Sequence, residues 1–101
     1  MEILKPYRAR IDALDDQIVD LLVERIGIIH EVGALKAEKG IPATLPDRVD
    51  QVRERNAGRA AEKGIDADLV RRLYTEIIDY SCALEETIKA EIGKKTASSP
   101  A

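Results

Sequence analysis

The chain has 101 residues, of which 35% are charged, 45% apolar and only 3% aromatic, and its formal net charge is −3. That length suits one small domain, and the mild acidity argues against a general nucleic-acid footprint, so an anionic ligand needs a local cluster of cations. A single cysteine, Cys82, excludes an internal disulfide and suits a reducing compartment.

The first predicted element is a long helix. It begins between Ile3 and Pro6, because proline is well tolerated in a first turn. It ends near Glu38–Lys39, with Gly40 as its stop. Apolar residues recur at Ile11, Leu14, Ile18, Leu21, then Ile28, Val32 and Leu35, a heptad spacing that runs without a break, with Arg25 at one of its core positions. Lys36 lies eleven residues beyond Arg25, close to three helical turns, so both cations share one face roughly 16 Å apart. Charge directed into an apolar seam is unfavourable unless an anion meets it. Arg8 is about 25 Å up the same helix and about 100° around it, so one small ligand cannot touch Arg8 and Arg25 of one straight helix. Taken alone, Arg8 reads as a solvated arginine of the first turn. An antiparallel or intertwined pair of chains could bring Arg8 of one to Arg25 and Lys36 of the other. His30 is about 140° around from Arg25 and reads as an ordinary surface or boundary residue.

A helix of this length spans roughly 50 Å, whereas a compact 100-residue domain has a radius of gyration near 13 Å. The helix must protrude from a lone chain with its seam uncovered. A second copy is therefore expected to cover it.

A short loop, Gly40–Leu45, leads to a second helix from Pro46 to Lys63. Pro46 suits its first turn and Asp47 its positive end. Its apolar face is Val49, Val52 and alanines, and Gly64 ends it. Asp66 is the expected N-cap of a third helix carrying Leu69, Leu73, Ile77, Ile78, Leu84, Ile88 and Ile92. Gly93 is its expected end, leaving residues 1–93 as one domain and 94–101 as a flexible polar tail. The stripe Ile78, Ser81, Glu85, Ile88, Ile92 puts two polar residues on a largely apolar face. A buried Glu85 must pair with a cation or take up a proton. Arg25 and Lys36 are the obvious partners, either in a ligand pocket or in an ion pair that sets the register of a helical bundle. Pattern alone leaves both readings open.

No zinc-ligand spacing surrounds Cys82, no apolar run approaches membrane-spanning length, and Met1–Pro6 lacks the features of a secretory leader. A cytoplasmic protein with no metal or redox cofactor is expected.

Together these residues resemble a known family. Arg8-x-x-Ile11-Asp12-x-Leu14-Asp15, Leu21-Leu22-x-Glu24-Arg25, Val32-Gly33-x-x-Lys36, Pro46-Asp47-Arg48-Val49 and Ile77-Ile78-x-x-Ser81 are similar to the motifs of the AroQ-type chorismate mutases. The resemblance covers about residues 4–92. It implies an all-α intertwined homodimer of three-helix chains, with each long first helix spanning both active sites. It further implies a small dianionic substrate, chorismate, rearranged to prephenate on the route to phenylalanine and tyrosine. By the family's pattern Arg25 and the other chain's Arg8 clamp carboxylates, and Arg48 assists from the second helix. Lys36 donates to the ether oxygen, Glu85 faces that oxygen from the other side, and Ser81 helps to hold the ring carboxylate. The pericyclic reaction needs no nucleophile, metal or redox cofactor.

The chain departs from the family's pattern at two places. Glu85 stands where the best-known bacterial members have Gln, and an ionised carboxylate would repel the developing oxyanion. Glu85 can serve only as a neutral O–H donor, a form that burial favours and Lys36 opposes. Fungal relatives also have a Glu here. Leu45 and Val49 stand where acidic side chains commonly face the substrate's C4 hydroxyl. Chorismate is the leading substrate. The alternatives are 4-amino-4-deoxychorismate and then isochorismate, which related pyruvate lyases cleave; the segment Gly40–Val49 is similar to both groups of enzymes, and Cys82 followed by Glu85 resembles the aminodeoxychorismate mutases. A helical dimerisation module is the non-enzymatic alternative.

Overall fold

The computed structural model of the chain describes the backbone of residues 1–98 and side chains through residue 95. After a 3-10 turn at Glu2–Leu4, three helices follow: α1 Lys5–Lys39, α2 Pro46–Glu62 and α3 Ala67–Ser98. No strand occurs among the described residues. The architecture is all-α, as the periodicity implies.

The helix boundaries have local causes. Pro6 sits in the first turn of α1, where a missing N–H is harmless. Gly40 closes α1 in the left-handed conformation (φ 67°), and its N–H and that of Ile41 both donate to the Lys36 carbonyl. Only glycine takes that conformation without a Cβ penalty. Leu45 precedes α2 in an extended conformation with Pro46 in the first turn. α2 ends at Glu62, one residue before the expected Lys63, and Gly64 turns the chain at φ 78°. Asp66 caps α3 as its sequence position predicts, its Oδ1 accepting the Asp68 N–H at 3.0 Å.

One boundary corrects the sequence reading. Gly93 does not end α3, which continues to Ser98. A glycine stop acts by adopting positive φ, and among the described residues only Gly40 and Gly64 do so. In helical conformation Gly93 carries a penalty of only about 1 kcal/mol against alanine. Lys95 in the last turn complements the negative end of the helix. Residues 99–101 of the expected tail lie outside the described residues.

Burial along the long helix is confined to its C-terminal half, from Leu22 onward. α3 contacts both α1 and α2 and so forms the centre of the arrangement. α1 lies tightly against α3 at Gly33, where an added Cβ would lie 3.0 Å from Ile88 Cδ1. On the other side Arg71 of α3 binds Glu54 of α2 at 3.0 Å, and Arg53 donates to Thr75 Oγ1 at 3.1 Å.

The buried apolar side chains are few and mostly small: Ala43, Ala57, Ala60 and Ile78. The seam of α1 meanwhile stands in solvent on the single chain, with Ile11, Leu14, Ile18 and Leu21 each more than half exposed. The radius of gyration is 18.3 Å and the chain extends over 68 Å, well beyond the ~13 Å radius of a compact domain of this size.

Candidate active site

The site lies where the three helices meet, and each supplies polar side chains for a different local reason. Arg25 and Lys36 come from the α1 face that meets α3. Ser81 and Glu85 come from α3 one turn apart, which aligns them on one face. Arg48 and Val49 belong to the first turns of α2, whose start is set by Pro46, and Leu45 is the residue before that turn. Together with apolar residues from all three helices they enclose a cavity of about 310 Å³. That is within the size range of small-molecule sites.

The polar contacts form two pairs. Lys36 Nζ lies 2.7 Å from Glu85 Oε1, with the side chains only 15% and 6% exposed. The approach lies outside hydrogen-bond geometry, and Oε1 has no directed donor. The ammonium's oriented bond goes instead to the Ala43 carbonyl at 2.8 Å. Lys36 and Glu85 are thus a contact ion pair with acceptor capacity left unused on the carboxylate. In the second pair Arg25 Nη1 donates to Ser81 Oγ at 2.9 Å, and that hydroxyl donates to the Ile77 carbonyl at 2.8 Å. The Ser81 hydroxyl therefore fixes one arm of the guanidinium and leaves other donors of the fork for a ligand. Arg48, at the rim, is exposed and bonds Gln51 Oε1.

The wall carries three cations, Arg25, Lys36 and Arg48, against the single carboxylate of Glu85. Arg25 and Lys36 are partly buried beside that one carboxylate, and an excess of positive charge withdrawn from solvent is stable only if an anion or water balances it. The remaining wall is apolar, with Ile28, Val32, Val52 and Ile78 joining Leu45 and Val49. The arrangement can hold a small dianion against a hydrophobic surface and direct N–H donors at it.

Seven of the eight residues singled out in the sequence, namely Arg25, Lys36, Leu45, Arg48, Val49, Ser81 and Glu85, line this one cavity. The eighth, Arg8, is exposed on α1 and takes no part in the cavity wall of its own chain. Several wall residues escaped the sequence reading. Ile28 and Val32 were legible as seam positions but not as pocket walls, and Cys82 was weighed chiefly as a metal ligand. Ala43 contributes a carbonyl, for which no side-chain signal exists. Among the described residues no group of three or more His, Cys, Asp or Glu side chains could hold a metal ion. No described helix is long and apolar enough to cross a membrane.

An all-helical chain with a cation-rich cleft between its helices defines the class. Residues 7–86 match the family model for chorismate mutase type II, and the chain belongs to that family, whose named members include isomerases. It is 34% identical to the 4-amino-4-deoxychorismate mutase of Streptomyces venezuelae over 84% of this chain and 82% of that protein. Identity to the enzyme of the same name from Streptomyces pristinaespiralis is 37%, over 82% of this chain and 64% of that protein. It is also 26% identical to the chorismate mutase of Methanocaldococcus jannaschii, over 94% of this chain and 96% of that protein.

Proposed function

We propose that this chain catalyses the Claisen rearrangement of chorismate to prephenate. The observation that carries the reading is the cavity itself, with three cations and the Lys36–Glu85 pair on its wall. A pair serving only to set bundle register would be packed shut; this one faces open space large enough for a small ring compound.

The reaction breaks an ether C–O bond and forms a C–C bond within one molecule, so no proton or electron has to be supplied. Catalysis then reduces to two demands. The enolpyruvyl arm must be held over the ring, a proximity effect. Negative charge growing on the ether oxygen must be met by fixed donors. Arg25, braced by Ser81, clamps a carboxylate with its planar fork, and Arg48 adds charge from the rim. Lys36 donates to the ether oxygen from one side. Glu85, the counter-ion of Lys36 on the cavity wall, faces that oxygen from the other side.

The functional unit in this reading is a homodimer. The exposed seam of α1 is covered by a second copy, and Arg8 of that copy completes the carboxylate clamp.

A second reading rests on Leu45 and Val49. Both line the cavity and neither side chain can bond a C4 hydroxyl, and two similar proteins bear the name 4-amino-4-deoxychorismate mutase. Charge favours chorismate, because an ammonium group would enter an already cationic, apolar-walled site. The deciding experiment incubates the purified protein with chorismate, 4-amino-4-deoxychorismate and isochorismate in turn and identifies the products. Prephenate formed fastest from chorismate supports the first reading. Far faster turnover of the amino compound replaces it with the second, pyruvate from isochorismate points to a lyase, and no turnover leaves a helical dimerisation module.

A further inference from the structure

Beyond the cavity wall, one cation reaches the loop that shapes the site. Lys89 is partly buried on α3 and donates through Nζ to the Ile41 carbonyl, 48 residues away in sequence. Two residues further along the same loop, the Ala43 carbonyl accepts from Lys36 Nζ at 2.8 Å. The loop between α1 and α2 is thus held by two ammonium groups from two different helices. Ala43 is 3% exposed, so its carbonyl has little access to water and depends on a protein donor.

The connection to the site is geometric. Lys36 has three N–H donors. One is spent on Ala43, another side of the ammonium faces Glu85 at 2.7 Å, and the remainder is available to the cavity. The direction of that remainder depends on where the Ala43 carbonyl stands. The loop carrying Ala43 is anchored at Ile41 by Lys89, and it continues directly into Leu45, Arg48 and Val49 of the cavity wall. Lys89 is not part of that wall. It lies one helical turn past Glu85 on the same face of α3.

We infer that Lys89 is a positioning residue: by holding the Ile41 carbonyl it fixes the loop whose Ala43 carbonyl aims Lys36 at the reacting oxygen. The inference rests on the mutase reading above and adds a residue that touches no substrate. Donor misplacement of about 1 Å can lower a rate by up to about a hundredfold. Loss of a tether one step removed from Lys36 is expected to lower kcat about tenfold, with KM within about twofold because the Arg25 clamp is untouched.

The test compares wild type with Lys89→Met, which keeps the stem without donors, and Lys89→Arg, which restores a donor. Turnover and amide hydrogen exchange over residues 40–45 are measured on each. Lys89→Met should lose kcat and loop protection together, and Lys89→Arg should recover both. Lys89→Gln, polar but too short to reach, should behave like Lys89→Met and replaces it should the latter misfold. A kcat within twofold of wild type in Lys89→Met or Lys89→Gln overturns the inference. So does a loss of kcat with the loop still protected, which would make the effect one of charge. A wild-type protein that turns over none of the three substrates defeats the mutase reading instead, and the exchange comparison alone then decides the tether.

Discussion

At Lys36 one ammonium group serves three neighbours: a carbonyl, a carboxylate and open cavity. Its replacement therefore has a definite expected signature. Lys36→Met should lower kcat/KM about 10²–10³-fold, the usual effect of removing one oxyanion donor, in a steady-state assay on the accepted substrate. Glu85 tests the charge logic from the other side. Glu85→Gln, which puts an amide donor beside Lys36 in place of a carboxylate, should keep kcat/KM at or above the wild-type value in the same assay, whereas a loss as large as that of Lys36→Met would show that the carboxylate itself is needed. Three polar residues of the site were legible because each breaks an apolar pattern. Arg25 interrupts a heptad seam, and Ser81 and Glu85 interrupt the stripe of α3. Leu45, Val49 and Ala43 break no pattern. As site residues Leu45 and Val49, like Arg48, entered the reading only through a family resemblance, and Ala43 was missed because it acts through its backbone.

Individual helices respond to glycine in opposite ways according to what lies beside it. Gly58 sits in mid-α2 with no atom within 4 Å of an added Cβ. Gly58→Ala should raise stability by about 1 kcal/mol, since helix propensity is gained and nothing is displaced. Gly33 is buried where α1 meets α3, with Ile88 Cδ1 3.0 Å from the position of a Cβ. Gly33→Val should lower stability by about 1–3 kcal/mol through overpacking. Urea denaturation at one fixed protein concentration measures both. Sequence signals located these helices within a residue or two at Pro6, Gly40, Pro46, Gly64 and Asp66, because caps and stops act within one turn. Gly93 misled because a glycine permits a stop without compelling one, and the lysine-bearing turn beyond it continues the helix.

For the molecule as a whole, the chain extends over 68 Å with few buried side chains, and the apolar seam of α1 is exposed on the single chain; the proposed homodimer would cover that seam. In a two-fold dimer with shared sites, Arg8→Ala and Arg25→Ala impair different halves of one site. Mixed and re-annealed, the two inactive variants should form heterodimers containing one intact site, restoring about a quarter of wild-type activity under random pairing. Recovery no greater than the sum of the separate variants would show that Arg8 acts within its own chain or not at all. The residue order by itself determined the helical class, the element positions, the long apolar seam and the charged residues that interrupt it, because periodicity and capping are local properties of a chain. Only the tertiary structure decided that Arg25 meets Ser81 across 56 residues, that Lys36 divides itself between Ala43 and Glu85, and that Lys89 holds the loop between them. Such contacts depend on how the helices cross and rotate against each other, and on where backbone carbonyls point, neither of which leaves a periodic trace in the chain.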